Sequence, residues 1–142
     1  MKLNPQISLA FDGQCEAAFG FYERCLDGAI QLMLSWGDSP ITADAPPGWG
    51  AKIVHASIRI GDAEIAGSDV PPGQYERPRG FEILLNMDNP GDAERVFRLL
   101  AEGGLVGMPL QETFWASRFG MLVYRFGIPW SVNCGTPAGP TP

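Results

Sequence analysis

The sequence predicts an α+β fold: two βαβββ modules, each a curved, mostly antiparallel sheet with a helix on one face. Three observations predict it. The first is an internal repeat. Adding 75 to the residue number carries Ala18 onto Ala93, Phe21 onto Val96, Tyr22 onto Phe97, Cys25 onto Leu100, Asp27-Gly28 onto Glu102-Gly103 and Met33 onto Met108. The second is periodicity: apolar residues recur at helical spacing in two short stretches and at strand spacing elsewhere. The third is punctuation, since 18 Gly and 13 Pro in 142 residues cut the chain into short elements. One domain over 1–134 follows, with module one at 1–70, a linker at 71–80 and module two at 81–134. The tail 135–142, GTPAGPTP, is expected to be disordered.

Residues 3–11 read as a strand with Ile7, Leu9 and Phe11 on one face. Asp12 or Gly13 then caps a helix whose buried stripe is Ala17, Ala18, Phe21, Tyr22 and Cys25. Gly28 is placed to end it in a left-handed conformation. Residues 29–36 return as a strand, and 37–50 form a loop long enough for a lid or a subunit contact. Strands 52–60 and 63–68 join through a tight Gly61-Asp62 turn, which sets Arg59 opposite Glu64. In the second half, 81–87 is a strand. Asn89 caps a helix with Pro90 in its first turn and Ala93, Val96, Phe97 and Leu100 inside. Gly103-Gly104 ends it, and 105–110 is a strand. Residues 114–134, FWASRFGMLVYRFGIPWSVNC, read as a long hairpin turning at Gly127-Ile128.

Composition excludes several roles. The apolar fraction of 45% is that of a packed chain. A net charge of −6, with ten Lys and Arg dispersed along the chain, argues against nucleic acid or an anionic membrane as partner. No stretch reaches the ~18 apolar residues of a membrane span, and the N-terminus is too polar for a secretory signal. A cytoplasmic location is therefore expected. Cys15, Cys25 and Cys134 match neither redox nor zinc spacing and read as reduced side chains.

The segments FDGQCEAAFGFYERCLDG, KIVHASIRIGDAEI, LAEGGLVGMPLQETFWASRFG and RFGIPWSVN resemble the PhnB-like branch of the vicinal oxygen chelate superfamily, which holds glyoxalases, bleomycin-resistance proteins and dioxygenases. The similarity runs from about Asn4 to Asn133. It implies a cupped fold with helices outside, and a homodimer, side by side or domain-swapped. Enzymes of the superfamily carry a divalent metal on the first and last strands of each module. Here those places are expected at Ile7, Ile65, Glu82 and Ser131, with Gln6 one residue from the first, and only Glu82 is a good ligand. No metal and no cofactor are expected on that basis. The branch also carries a demethylubiquinone methyltransferase label. No glycine-rich loop follows the first strand to hold an adenosyl cofactor, so that activity is not expected. An Asp that the branch places before the last R/K-F-G is Tyr124 here.

Glu82 is the candidate catalytic residue, as a general base in an apolar setting with Arg79 or Arg125 as alternative partners. Tyr124, Ser131, Asn133 and Trp130 are the candidate ligand-binding residues, the first three forming a polar floor with Glu82. His55 is expected on the face turned away from the ligand positions, and without a GxSxG elbow it offers no nucleophilic triad. Asp88, Asp92, Glu94 and Glu102 read as solvated surface carboxylates. Two functions fit: metal-independent binding of a small, partly apolar molecule, or a lyase or isomerase that uses Glu82.

Overall fold

The computed structural model describes residues 1–136, so the Pro-rich tail from 137 lies outside the described residues. The chain forms two compact units, Met1–Glu76 and Arg77 onward. Each is a four-stranded mixed sheet with one α-helix.

In the first unit, β1 (Ile7–Phe11) leads into α1 (Cys15–Cys25), β2 (Ala29–Ser35), β3 (Ile53–Ile60) and β4 (Ala63–Asp69). The sheet order is β1-β4-β3-β2, with β1 parallel to β4 and the other pairs antiparallel. The second unit repeats this with β5 (Ile83–Met87), α2 (Pro90–Ala101), β6 (Leu105–Gln111), β7 (Arg118–Val123) and β8 (Pro129–Cys134), in the order β5-β8-β7-β6. The two βαβββ modules read from the repeat are both present. In the first strand of each unit the correspondence is 76 rather than 75, because Ile7 occupies in β1 the place Ile83 occupies in β5.

Each helix buries its stripe against one sheet face. Cys15, Ala18, Phe19, Tyr22 and Cys25 are buried on α1, and Ala93, Val96, Phe97 and Leu100 on α2. Cys15 and Phe19 stand in the stripe in place of the expected Ala17, which is exposed, and Phe21, which is half-buried. Glycine makes room for this packing. A Cβ at Gly67 would lie 2.7 Å from the Phe19 ring, and one at Gly120 would lie 2.6 Å from the Phe97 ring. Gly67 and Gly120 therefore mark the helix side of each sheet.

The helix ends depart from expectation in the first unit only. Neither Asp12 nor Gly13 caps α1. Its N-cap is Gln14, which makes no side-chain cap bond. Asp69, far away in sequence and 2% exposed, takes over: its Oδ1 accepts from the Cys15 N–H at 2.9 Å and its Oδ2 from the Ile53 N–H at 2.8 Å. Burial, with the Asp69 and Glu16 charges adding to it, pushes the neighbouring Cys15 thiol up, so it stays protonated. At the other end Asp27, not Gly28, takes the left-handed conformation with φ 51°. Gly28 is needed for close approach, since a Cβ there would meet Ile58 at 2.9 Å. In α2 the cap is as read: Asn89 Oδ1 accepts from the Asp92 N–H at 3.0 Å, and Pro90 opens the helix.

The loop after β2 is tied at its base. The Trp36 N–H donates to the Lys52 carbonyl at 2.8 Å and the Gly37 N–H to the Gly50 carbonyl at 2.9 Å, and one 3-10 turn lies within it at Thr42–Asp44. The Gly61-Asp62 turn is as expected, with Ile60 paired to Ala63 and Arg59 opposite Glu64. The last hairpin is not. Val123 pairs with Pro129, the Tyr124 N–H donates to the Ile128 carbonyl, and the Gly127 N–H donates to the Tyr124 carbonyl. The loop is thus Arg125-Phe126-Gly127, with Gly127 left-handed at φ 91°. This is the three-residue hairpin in which glycine closes the loop, not a two-residue turn at Gly127-Ile128.

Candidate functional site

Alternation along the strands assigns the second face of each sheet, the one no helix covers. In the first unit Gly67 faces α1, so Ile65 and Asp69 on β4, Ile7, Leu9 and Phe11 on β1, and Ala56 and Ile58 on β3 face it too. The free face carries Ser8, Glu64, Ala66, Ser68, His55, Ser57 and Arg59. Two expectations are corrected here. Ile7 and Ile65 are not free-face positions: they are paired with each other on the helix side. His55 is on the free face and exposed, beside Ser57 and Arg59. The relative faces were read correctly in the sequence. Which face the helix covers depends on Gly67 lying under Phe19, and no single strand records that.

In the second unit Gly120 faces α2, so Leu122, Trp130, Val132, Ile83 and Leu85 share that side. The free face is built in rows. Pro129 pairs with Val123 and Val123 with Leu105, and Glu82 sits one residue before the Ile83–Trp130 pair, beside Pro129. The next row is Leu84, Ser131, Met121 and Met108, and the third is Asn86, Asn133, Phe119 and Gln111. At the first row the face opens into a pocket of about 800 Å³. Its lining includes Glu82, Leu105, Met121, Val123 and Pro129. An adjoining hollow of about 410 Å³ shares Gly80, Phe81, Val123 and Pro129 with it and adds Arg77 and Arg79.

Of the residues named from sequence, Glu82, Ser131 and Asn133 come together on this face, one to each row. Tyr124 and Trp130 do not join them. The three-residue loop puts Tyr124 in line with Leu122 and Gly120, on the helix side, where it is 1% exposed. A two-residue turn would have put it beside Ser131. Trp130 is fully buried and paired with Leu122, as part of the core under α2. Glu82 is exposed, so water solvates its carboxylate and the desolvated apolar setting expected for it is absent. Arg125, its second candidate partner, lies over the Tyr124 and Phe126 rings at 5.7 and 4.9 Å. Asp92 and Glu94 are surface carboxylates as read, in exposed pairs with Arg95 at 3.9 Å and Arg118 at 3.5 Å.

Two polar atoms on the free face are buried without a partner among the described residues: Ser131 Oγ and Asn133 Oδ1. Asn133 spends its Nδ2 on Asn86 Oδ1 at 3.1 Å. Sequence reasoning missed the apolar floor of Leu105, Met121, Val123 and Pro129. A signal was present, since Ile83-Leu84-Leu85 and Met121-Leu122-Val123 are apolar without alternation, the pattern of a strand that is apolar on both faces.

The donor set for a superfamily metal can be tested against these rows. The paired first- and last-strand positions on the free faces are Ser8 with Ala66 and Ala10 with Ser68 in one unit, and Leu84 with Ser131 and Asn86 with Asn133 in the other. Neither unit's set, even with the nearby carboxylate of Glu82 in the second, makes a divalent transition-metal site, which wants imidazoles and carboxylates. Among the described residues no group of three His, Cys, Asp or Glu converges as a metal site would. No described helix is long and apolar enough to cross a membrane.

Comparison with known proteins agrees with this architecture. Protein YjdN of Escherichia coli (strain K12) is 34% identical over 141 residues, covering 94% of this chain and 95% of that protein. The crystal structure of protein PA1353 from Pseudomonas aeruginosa is 45% identical with a TM-score of 0.82, covering 92% of this chain and 98% of that one. A PhnB protein from Bacillus cereus, 21% identical, has a TM-score of 0.80 over 94% of this chain and 100% of its own, a likeness of fold. The family model for the Glyoxalase/Bleomycin resistance protein/Dioxygenase superfamily matches residues 6–139. With the repeated βαβββ unit, that match places the chain in the Glyoxalase/Bleomycin resistance protein/Dioxygenase superfamily.

Proposed function

We propose that the protein binds a small, partly apolar molecule on the free face of its second module, without a metal. The observation that carries this is the open pocket of about 800 Å³, whose floor is aliphatic and whose edge bears a single carboxylate, Glu82. That volume lies within the ~300–1,000 Å³ of small-molecule sites, which pair apolar walls with a few polar groups. Leu84, Leu105, Val106 and Met121 on or beside this face are 38–63% exposed, more contiguous apolar surface than a sheet needs for its own stability. Exposed Glu82 suits a ligand contact better than a general base. Lyase or isomerase chemistry would instead show as turnover lost in Glu82→Gln.

The protein acts as a homodimer in this role. Support comes from the loop after β6, where Phe114 is 90% and Trp115 is 42% exposed, stacked edge-to-face at 4.7 Å. Trp115 continues onto Phe119 at 5.0 Å, which gives a rigid aromatic surface for a second copy.

The test is native mass spectrometry of protein purified without chelator or organic additives, together with a thermal-shift screen of fragments. A specific retained or added molecule is expected, and Leu105→Arg, which puts a charge on an exposed edge of the pocket, should abolish its effect without unfolding the protein. Binding unchanged in Leu105→Arg, or a stoichiometric divalent ion lost in Glu82→Ala, would contradict the proposal.

A further inference from the structure

We infer, resting on the binding role proposed above, that the ligand carries an oxyanion head, held by Arg77 and Arg79, on the apolar body that the pocket takes. The hollow of about 410 Å³ beside the pocket is lined on one side by Arg77, Pro78 and Arg79, and no carboxylate lines it. Hollow and pocket both lie wholly within the second unit. Local chemistry puts the two arginines together. A residue before proline is pushed to extended backbone, and along an extended run side chains two apart point the same way. The stretch Arg77-Pro78-Arg79 meets both conditions. Gly80, left-handed at φ 82°, breaks the run, and Phe81, 41% exposed, walls both the hollow and the pocket.

Among the described residues neither Arg77 nor Arg79 forms an ion pair, in a chain with 16 acidic residues to 10 basic ones. Two cations on one hollow repel each other, and an anion between them turns that repulsion into attraction. A guanidinium is a planar fork that takes carboxylate or phosphate oxygens two at a time, so an oxyanion is the group it fits. The hollow is continuous with the pocket through Gly80, Phe81, Val123 and Pro129. From Pro129 the apolar floor crosses β8, β7 and β6 through Val123 to Leu105. Two strand spacings of ~4.8 Å make a floor about as long as an octanoate chain. Glu82 stands on the other side of Pro129, toward β5. A body lying toward Leu105 leads away from it, and the Glu82 charge keeps the head on the arginine side. Glu76, the residue before Arg77, lines neither space.

The experiment is ligand-observed NMR titration at pH 7 with octanoate, octanol, octylamine and acetate. Octanoate should bind at least about fivefold more tightly than octanol, as two exposed charge contacts allow, and octylamine no more tightly than octanol. Arg77→Gln combined with Arg79→Gln should bring octanoate to the octanol level and leave octanol unchanged. Both side chains are exposed, so the thermal midpoint should hold. Added sodium chloride should erode the octanoate preference and spare octanol. Glu82→Gln should tighten octanoate slightly. Octyl phosphate beside octanoate separates a phosphoryl head from a carboxyl one, and either in the lead supports the inference. Equal binding of octanoate and octanol, a preference for octylamine, or octanoate binding unchanged in the double variant overturns the anionic head and leaves small-molecule binding standing. Acetate held as tightly as octanoate also overturns it, because the apolar body then contributes nothing. No binding by any of the eight-carbon probes removes both readings.

Discussion

Asp69 is the residue on which the first unit depends most. Its carboxylate is buried and accepts from two backbone N–H groups at once, one opening α1 and one opening β3. It therefore does for the helix what a local Ser or Asn cap does for α2, and ties three elements at one point. Asp69→Asn replaces one acceptor oxygen by a donor and sets N–H against N–H. The expected loss is about 2–3 kcal/mol, the worth of a buried charge-assisted bond and of the group it leaves unpaired. Urea denaturation of the purified variant measures it, and a loss below roughly 0.5 kcal/mol, the level of an ordinary surface change, would show that the cap is dispensable.

Among the elements, β7 is fitted closely on both sides. It runs between β6 and β8, and Gly120 lets Phe97 of α2 settle onto it. A methyl group at Gly120 would meet the Phe97 ring at 2.6 Å and the Leu110 backbone at 3.0 Å, and the backbone cannot give way. Gly120→Ala should cost about 1–3 kcal/mol by overpacking. Gly107 on the neighbouring β6 is the control: the nearest atom to a Cβ there is the Met121 carbonyl oxygen at 3.7 Å, ordinary contact. Gly107→Ala should stay within about 0.5 kcal/mol of the parent protein. Thermal unfolding of the two variants side by side decides whether the helix seat, rather than glycine content in general, sets the stability of the module.

For the whole molecule, the same architecture occurs twice with opposite surface chemistry. The free face of the first unit is polar or small, with Ser8, His55, Ser57, Arg59 and Glu64. That of the second is largely aliphatic, with Leu84, Leu105, Met121 and Val123. The helix-facing residues are apolar in both units except for the capping Asp69, because both must bury a helix, while the free faces differ. The small-molecule binding we propose accordingly concerns the second unit. The exposed Phe114-Trp115-Phe119 ladder predicts self-association. Light scattering should give twice the 15.4 kDa chain mass at micromolar concentration, and Phe114→Asp with Trp115→Asp should return it to one chain. A monomeric parent protein would end that proposal.

The sequence by itself determined the two βαβββ modules, the positions of both helices, the Asn89 cap, the Gly61-Asp62 turn and the pairing of Arg59 with Glu64. All of these are local, or follow from a repeat that pairs each element with a copy of itself. It also named three residues, Glu82, Ser131 and Asn133, that share one sheet face, because alternation along a strand can be counted. Only the tertiary structure decided which face is free. That depends on which side of each strand meets a helix, and the contact is set by Gly67 under Phe19 and Gly120 under Phe97, pairs far apart in the chain. The last hairpin turned on one residue in the same way. Gly127 closes a three-residue loop instead of opening a two-residue turn, and that shift of register sent Tyr124 to the helix side while Trp130 stayed in the core. A strand has a period of two, so one residue of slip reverses every side chain, and a site read from sequence is only as secure as the turn before it.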